Sequence, residues 1–279
     1  MKKDVAIIGF GYVGRAMHKI FPDALVYDNG LLNGVHIAST DEINAKCGLA
    51  IVCVPTPPMG STQQKVDDSE SNWLGVDISI VEDVIKQLET DVILVKSTVP
   101  PGTIDKLREK TGKRICFSPE YIGEGGYYTP PQYPDPTDPR KHDFMIIGGE
   151  KKDCEDVLSF FMPKLGPTKK YYLISAIEAE LIKYMENTWG AMKVTFVNEW
   201  HEICKQFGAS YDIVREGWLL DSRVERMHTA VFKDKRGFGG KCFPKDLLGI
   251  INQTEKKGYS PDLLKEVWES NKRFLTMNK

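Results

Sequence analysis

Residues 237–246 read GFGGKCFPKD, which places Cys242 behind three glycines and just ahead of Lys245 and Asp246. Gly237, Gly239 and Gly240 let a loop backbone come close to a ligand, while Lys241, Lys245 and the N-terminus of a following helix favour the thiolate of Cys242 over its thiol. A thiolate is a nucleophile for carbonyl carbon. Two further groupings could serve such chemistry. Lys183 and Asn187 lie four apart in a stretch of helical periodicity, so they leave one helix face a turn from each other. An arbitrary Lys and Asn at that spacing would more often be a solvated pair. Glu120 and Glu124 sit beside a glycine run in SPEYIGEGG (118–126).

The other five cysteines, Cys47, Cys53, Cys116, Cys154 and Cys204, show no CxxC or CxxH spacing. That argues against a structural zinc and a disulfide framework, so each reads as a small buried hydrophobe and no metal is expected. The expected setting is reducing and cytoplasmic. With 279 residues, 41% of them hydrophobic and 27% charged, the composition is that of a soluble chain of one large or two modest domains. The net charge is −2 with both signs mixed along the chain, which speaks against a nucleic-acid groove or a membrane-binding face and leaves small molecules as partners. The opening MKK does not begin a secretory signal, because Asp4 interrupts it and the apolar run Val5–Ile8 stops at Gly9.

The elements that must position these residues fall into two kinds. DVAIIGFGYVGRAMHKIF (4–21) starts as a β-branched run, passes Gly9, Gly11 and Gly14, and continues with helical spacing at Ala16, Met17, Ile20 and Phe21. Strand, tight turn and helix in that order bring backbone N–H groups and a positive dipole end to a pyrophosphate. A second strand, ALVYD, ends at Asp28, where an acid would take the ribose of an adenosine and repel a 2′-phosphate, which selects NAD over NADP. Further strands are expected at 49–55, 91–100, 114–120 and 143–149, with a helix at 78–89. They make a doubly wound parallel sheet of the α/β class, a Rossmann-like unit. Ligands of such sheets gather beyond the strands' carboxyl ends, here PTP (55–57), STVPPGT (97–103) and SPEYIGEGG; Pro55, Pro57 and Pro100 are also explained as strand terminators. The long stretches 57–75 and 126–142 read as lids, partner contacts or disordered segments, the second rich in Pro and Tyr.

From Ser175 the periodicity becomes helical over a length no strand could match, with Ser175 as cap and Gly208 as stop. Helices near 211–220, 246–257 and 261–276 follow. The expected division is a cofactor domain at 1–174 and an all-helical domain at 175–279 that carries the cysteine loop.

Beside a bound NAD, a nucleophilic cysteine suits the oxidation of an aldehyde through a thioester, because the cysteine adduct can surrender a hydride that a free aldehyde does not readily give. GFGYVG, VPTP, KSTVPPGT, SPEYIGEG, AELIKYMENTWGAMKVTFVNE and GFGGKCFPKD, in this order along nearly the whole chain, resemble the UDP-glucose/GDP-mannose dehydrogenase family. The resemblance implies a four-electron oxidation of a sugar nucleotide's primary alcohol to a carboxylate using two NAD, with UDP-glucose the first choice. It places Cys242 as nucleophile, Lys183 and Asn187 at the developing oxyanion, and Asp246 as the acid working with the lysine and a water. Thr98 and Glu120 would orient the water that hydrolyses the thioester, and Glu124 would lie near nicotinamide and sugar. Gly9, Gly11, Tyr12, Val13, Gly14, Asp28, Pro55, Thr56, Thr98, Glu124 and Lys245 form the implied cofactor set. Tyr121, Phe238, Gly239 and Arg226 join the substrate set, Arg226 by reaching across a homodimer.

Family members of this type add a third, UDP-closing domain, which this sequence is expected to lack, with 126–142 as a partial cover. Two other readings stand beside the first: a two-electron dehydrogenase of a small hydroxy acid, which has no use for Cys242 and Asp246, and a catalytically weak NAD- or nucleotide-binding dimer. Pairing of two subunits is expected through the helical stretch bearing Trp189, Phe196 and Trp200.

Overall fold

The computed structural model describes residues 2, 4–30, 37–59, 75–122, 135 and 137–278. Glu124 and the whole of the stretches 60–74 and 123–134 lie outside the described residues. The chain forms two compact units. The first runs to Thr56, resumes at Asp77 and reaches Lys183; the second includes Tyr184–Lys279 together with Pro57–Val76.

The first unit is built on a seven-stranded sheet in the order β2-β1-β3-β4-β5-β6-β7. Its strands are β1 (Asp4–Ile8), β2 (Leu25–Tyr27), β3 (Cys47–Val52), β4 (Val92–Val95), β5 (Ile115–Phe117), β6 (Phe144–Gly148) and β7 (Lys170–Ile174). Every residue of β3 and β4 is buried, as a sheet covered on both faces by helices demands of its central strands. One face packs against Ile43, Val81, Ile85 and Ile104. The other packs against Met17, Ile20, Val157 and Phe161. These come from α1 (Tyr12–Ile20), α2 (Thr40–Lys46), α3 (Ser79–Gln87), α4 (Thr103–Thr111) and α5 (Lys151–Leu165).

The chain reverses direction across the sheet between β1 and β3, the switch point beside which such sheets bind ligands. One expectation is corrected here: β6 lies antiparallel to β5, with Phe117 opposite Gly148. An antiparallel neighbour needs no crossover helix, so β5 and β6 can be joined without one, whereas the parallel pair β6–β7 is linked through α5.

The second unit is helical. α6 (Ala176–Gln206) opens on a reciprocal cap in which Ser175 Oγ accepts from the Glu178 N–H at 3.4 Å and the Glu178 carboxylate accepts from the Ser175 N–H at 2.9 Å. The chain passes from one unit to the other within this helix, after Lys183, nine residues beyond the boundary read from the sequence. Gly208, in the left-handed region at φ 66°, follows its end. α7 (Tyr211–Trp218) brings Tyr211 to Val197 and Cys204 of α6, while α8 (Phe243–Glu255) and α9 (Asp262–Thr276) pack around Ala191, Phe238, Leu247, Ile251 and Trp268.

Candidate active site

The glycine turn after β1 has the geometry its sequence suggests. Gly9 holds φ 91°, and a Cβ there would meet the Cys53 carbonyl oxygen at 2.8 Å, so only glycine fits. A Cβ on Gly14 would sit 2.0 Å from the Gly9 carbonyl oxygen. A Cβ on Gly11, by contrast, would touch nothing within 4 Å. Gly11 caps α1 without a side chain, and the first turn of α1 carries no acid. Free N–H groups, open space and a positive helix end fit the pyrophosphate of a dinucleotide. Asp28 is half-buried and braces the turn, accepting from the Phe10 N–H at 2.6 Å and from the Gly30 N–H at 2.7 Å. Tyr12 is exposed and Val13 half-buried on the first turn of α1, while Pro55 is exposed and Thr56 half-buried beyond β3.

Glu120 follows β5 at the end of the SPE segment. Its carboxylate accepts from the Ile122 N–H at 2.8 Å and faces the Lys183 ammonium at 3.0 Å, and that ammonium also donates to the Glu120 carbonyl at 2.7 Å. Lys183 is 5% exposed and lies over the ring of Tyr121 at 5.7 Å. Burial pushes the Glu120 carboxyl up, but Lys183, the Ile122 N–H and Lys96 outweigh it and hold its pKa below the ordinary value. Thr98 is half-buried on the loop after β4. A cavity of about 40 Å³, lined by Lys96, Ser118, Glu120, Tyr121, His142 and Phe144 among others, adjoins this cluster.

α6 is fastened to the α4 end of the same loop by Glu180, fully buried, whose carboxylate accepts from the Gly102 N–H at 2.5 Å and the Ile104 N–H at 2.9 Å. Those are orphan donors of the α4 N-terminus.

In the second unit Cys242 is exposed and is the cap residue of α8, with Pro244 in the first turn. The helix therefore starts at Phe243, three residues earlier than the sequence expectation. Its start is seated by Gly190 of α6, where a Cβ would lie 2.6 Å from the Phe243 ring. The Asp246 N–H donates to the Cys242 carbonyl at 2.9 Å. The Asp246 side chain, 1% exposed, accepts from Asn187 Nδ2 and from Lys245 Nζ, each at 2.5 Å. Lys245, read as a cofactor contact and as a neighbour favouring the thiolate, is 6% exposed and gives its ammonium to Asp246. Arg226 makes a bidentate pair with Glu216 at 2.7 and 2.6 Å.

Before the cysteine, the loop is pinned from two helices. Asn271 of α9, fully buried, accepts from the Phe238 N–H at 2.7 Å and donates to the Phe238 carbonyl at 2.9 Å. Arg236 donates to Asn198 Oδ1 at 2.7 Å and to Glu202 at 2.8 Å, both on α6. Gly239 is half-buried between these anchors and the cysteine. Sequence reading missed Asn271, Arg236, Glu180 and Lys96. Only Lys96 left a local signal, a lysine directly after the apolar run VILV.

Cys242 thus presents its thiol at a helix N-terminus, one turn from a buried acid held by an amide and an ammonium. Such a set can carry an acyl group and manage its protons. Among the described residues no group of His, Cys, Asp and Glu could hold a metal ion, and no helix is long and apolar enough to cross a membrane.

Two family models match the chain: residues 22–162 match the NAD binding domain, and residues 177–273 the central domain, of the UDP-glucose/GDP-mannose dehydrogenase family. A UDP-glucose 6-dehydrogenase of Rickettsia prowazekii is 31% identical over 199 residues, which cover 69% of this chain and 43% of that protein. The chain thus matches less than half the length of that relative. Among solved structures, a UDP-glucose dehydrogenase of Pyrobaculum islandicum superposes with a TM-score of 0.77 at 24% identity, covering 98% of this chain and 68% of that one. A UDP-D-ManNAc dehydrogenase of Pyrococcus horikoshii gives 0.72 at 20%, covering 97% and 68%. At these identities the two structures speak for the fold.

Proposed function

Because the chain belongs to the UDP-glucose/GDP-mannose dehydrogenase family, we propose that it oxidises the primary alcohol of a sugar nucleotide to a carboxylate in two NAD-dependent steps, with UDP-glucose the first substrate to try. NAD, when bound, supplies the hydride acceptor for each step. The glycine turn and the N-terminus of α1 would hold its pyrophosphate, and Asp28 would hold the adenosine ribose. Cys242 adds through sulfur to the aldehyde carbon and retains the sugar as a thiohemiacetal, then as a thioester. Lys183 and Asn187 donate to the oxygen that gains charge, and Asp246 takes part in moving protons. Thr98 and Glu120 orient the water that releases the carboxylate.

The observation that carries this reading is Cys242 at the N-cap of α8 with Asp246 buried one turn behind it, bonded to Asn187 and Lys245. A hydroxy-acid dehydrogenase or a binding subunit needs no such set. The deciding experiment counts NADH per sugar oxidised with NAD and UDP-glucose in excess, then with UDP-ManNAc and GDP-mannose. Two per sugar supports the proposal, one points to the two-electron reading, and none with any sugar nucleotide points to a binding role. Cys242→Ser is expected to abolish carboxylate formation while NAD still binds.

Pairing of two copies belongs to the same proposal. α6 exposes Met185 at 75%, Trp189 at 50% and Phe196 at 49%, with Trp200 and the neighbouring Trp218 beside them. An apolar stripe of this kind suits a self-complementary helix-to-helix interface. Light scattering at assay concentration is expected to give a homodimer; a monomer refutes the pairing.

A further inference from the structure

Lys96 is a buried cation that the steps above do not use. It stands directly after β4, is 7% exposed, and donates to Ser118 Oγ at 3.1 Å and to the Pro119 carbonyl at 3.0 Å. Both acceptors belong to the short segment that delivers Glu120. Taking an ammonium out of water costs several kcal/mol, and a methionine would fill the same volume without that cost. A charge kept at such expense calls for a use. Burial brings the Lys96 pKa down to about 8, against which Glu120 and Cys53 pull upward and Lys183 pushes further down.

We propose that Lys96 is a positioning residue for release of the acyl group from Cys242: it fixes the Ser118–Pro119 main chain that delivers the Glu120 carboxylate and, with Lys183, favours the anion of that carboxylate. This rests on the function proposed above. In that step the water oxygen bonds to the acyl carbon and one water proton passes to the Glu120 carboxylate. The tetrahedral oxyanion then collapses, the C–S bond breaks, and the electron pair leaves as the Cys242 thiolate. No oxidant is consumed.

The groups whose charges act on Glu120 and Lys96 come from four elements. Lys183 is on α6 and Lys96 follows β4. Cys53, at the end of β3, has its thiol pushed up to about 12 by burial and stays neutral. His142, ahead of β6, is held below its ordinary value by burial and by Lys96 and Lys169, and it too is neutral at physiological pH. Two cations and one anion therefore meet in this part of the fold, and removing Lys96 leaves burial opposed chiefly by Lys183 and the Ile122 N–H. Loss of one nearby cation raises a carboxyl pKa by about one unit.

The test compares the full-length wild type with Lys96→Met. Glutamate carboxyl carbons labelled with ¹³C are titrated by NMR, and Glu120→Gln assigns the signal. The Glu120 pKa is expected to rise by about one unit, and this readout needs no substrate. With NAD and the sugar nucleotide that the wild type oxidises, Lys96→Met is expected to give a burst of about two NADH per site followed by turnover slowed about tenfold. Intact mass is expected to show the acyl adduct on Cys242, with NAD affinity unchanged. An unshifted Glu120 titration, or slowed turnover without burst or adduct, overturns the proposal. If Lys96→Met fails to fold, Ser118→Ala, which removes one of the two acceptors, is expected to move the same readouts in the same direction by less. Should the wild type itself form no NADH, the functional reading fails, and the Glu120 titration still decides whether Lys96 sets that charge.

Discussion

Glu180→Gln isolates one buried carboxyl whose ionisation opposes folding. Burial is the largest influence on it and raises its pKa from 4.5 to about 7, against the downward pull of the N–H groups of Ile104, Gly102 and Thr103; Asp105 adds to the rise. Between those two pH values the folded protein holds a proton that the unfolded chain has lost. Stability from this group is fully present below pH 4.5 and is lost as pH rises through 7. With 1.36 kcal/mol for each unit of pKa, the loss amounts to about 3 kcal/mol. Glutamine cannot ionise, so the variant lacks this slope. Urea unfolding of both proteins at several pH values from 4.5 to 8 should therefore show the wild type losing about 3 kcal/mol relative to Glu180→Gln, most of it between pH 5 and 7. A difference that stays flat would remove the argument. A wild type that gains on the variant as pH rises would mean that the helix N-terminus of α4 stabilises the anion more than burial penalises it.

Three other expectations can be checked with simpler means. Iodoacetamide on the native protein should modify exposed Cys242 well ahead of half-buried Cys53 and the buried Cys47, Cys116, Cys154 and Cys204, as peptide mapping would reveal, and labelling that starts at another cysteine contradicts the burial pattern. Gly190→Ala drives a methyl into the Phe243 ring, so thermal unfolding should show a loss of about 1–3 kcal/mol together with slower alkylation of Cys242. Asn271→Ala strands both backbone groups of Phe238 and should cost about 2–3 kcal/mol by denaturant titration, whereas a near-neutral result would mean that water replaces the amide.

What the sequence made legible was whatever its own neighbours determine. Gly9, Gly11 and Gly14 declare their turn because tight backbone geometry needs glycine at that spacing, and 31 residues of helical periodicity declare α6. Cys242 was readable because glycines and charges crowd it within ten residues. Glu180 was not, since its partners Gly102 and Ile104 lie 78 and 76 residues away and its exposed-looking residue type gave no hint of full burial. Asn271 reaches back 33 residues to Phe238, and Arg236 38 residues to Asn198, so their roles exist only once the helices have packed. The sense of β6 was misjudged for a related reason: apolar alternation reports that a strand is buried and is silent on which way it runs.

The first turn of α8 ties Cys242 and Asp246 through a single backbone hydrogen bond, from the Asp246 N–H to the Cys242 carbonyl. The Cys242 thiol and the Asp246 carboxyl thus share one short piece of rigid scaffold. Thermal jostling of the preceding loop can tilt or translate that piece, but it shifts both groups together and leaves their separation nearly constant. Positional noise arriving from the glycine side therefore becomes an error in aim rather than in internal spacing. Under the proposed function, a library that varies residues 236–241 should accordingly change which substrates are met in a productive orientation more readily than it changes how thiol and carboxyl cooperate.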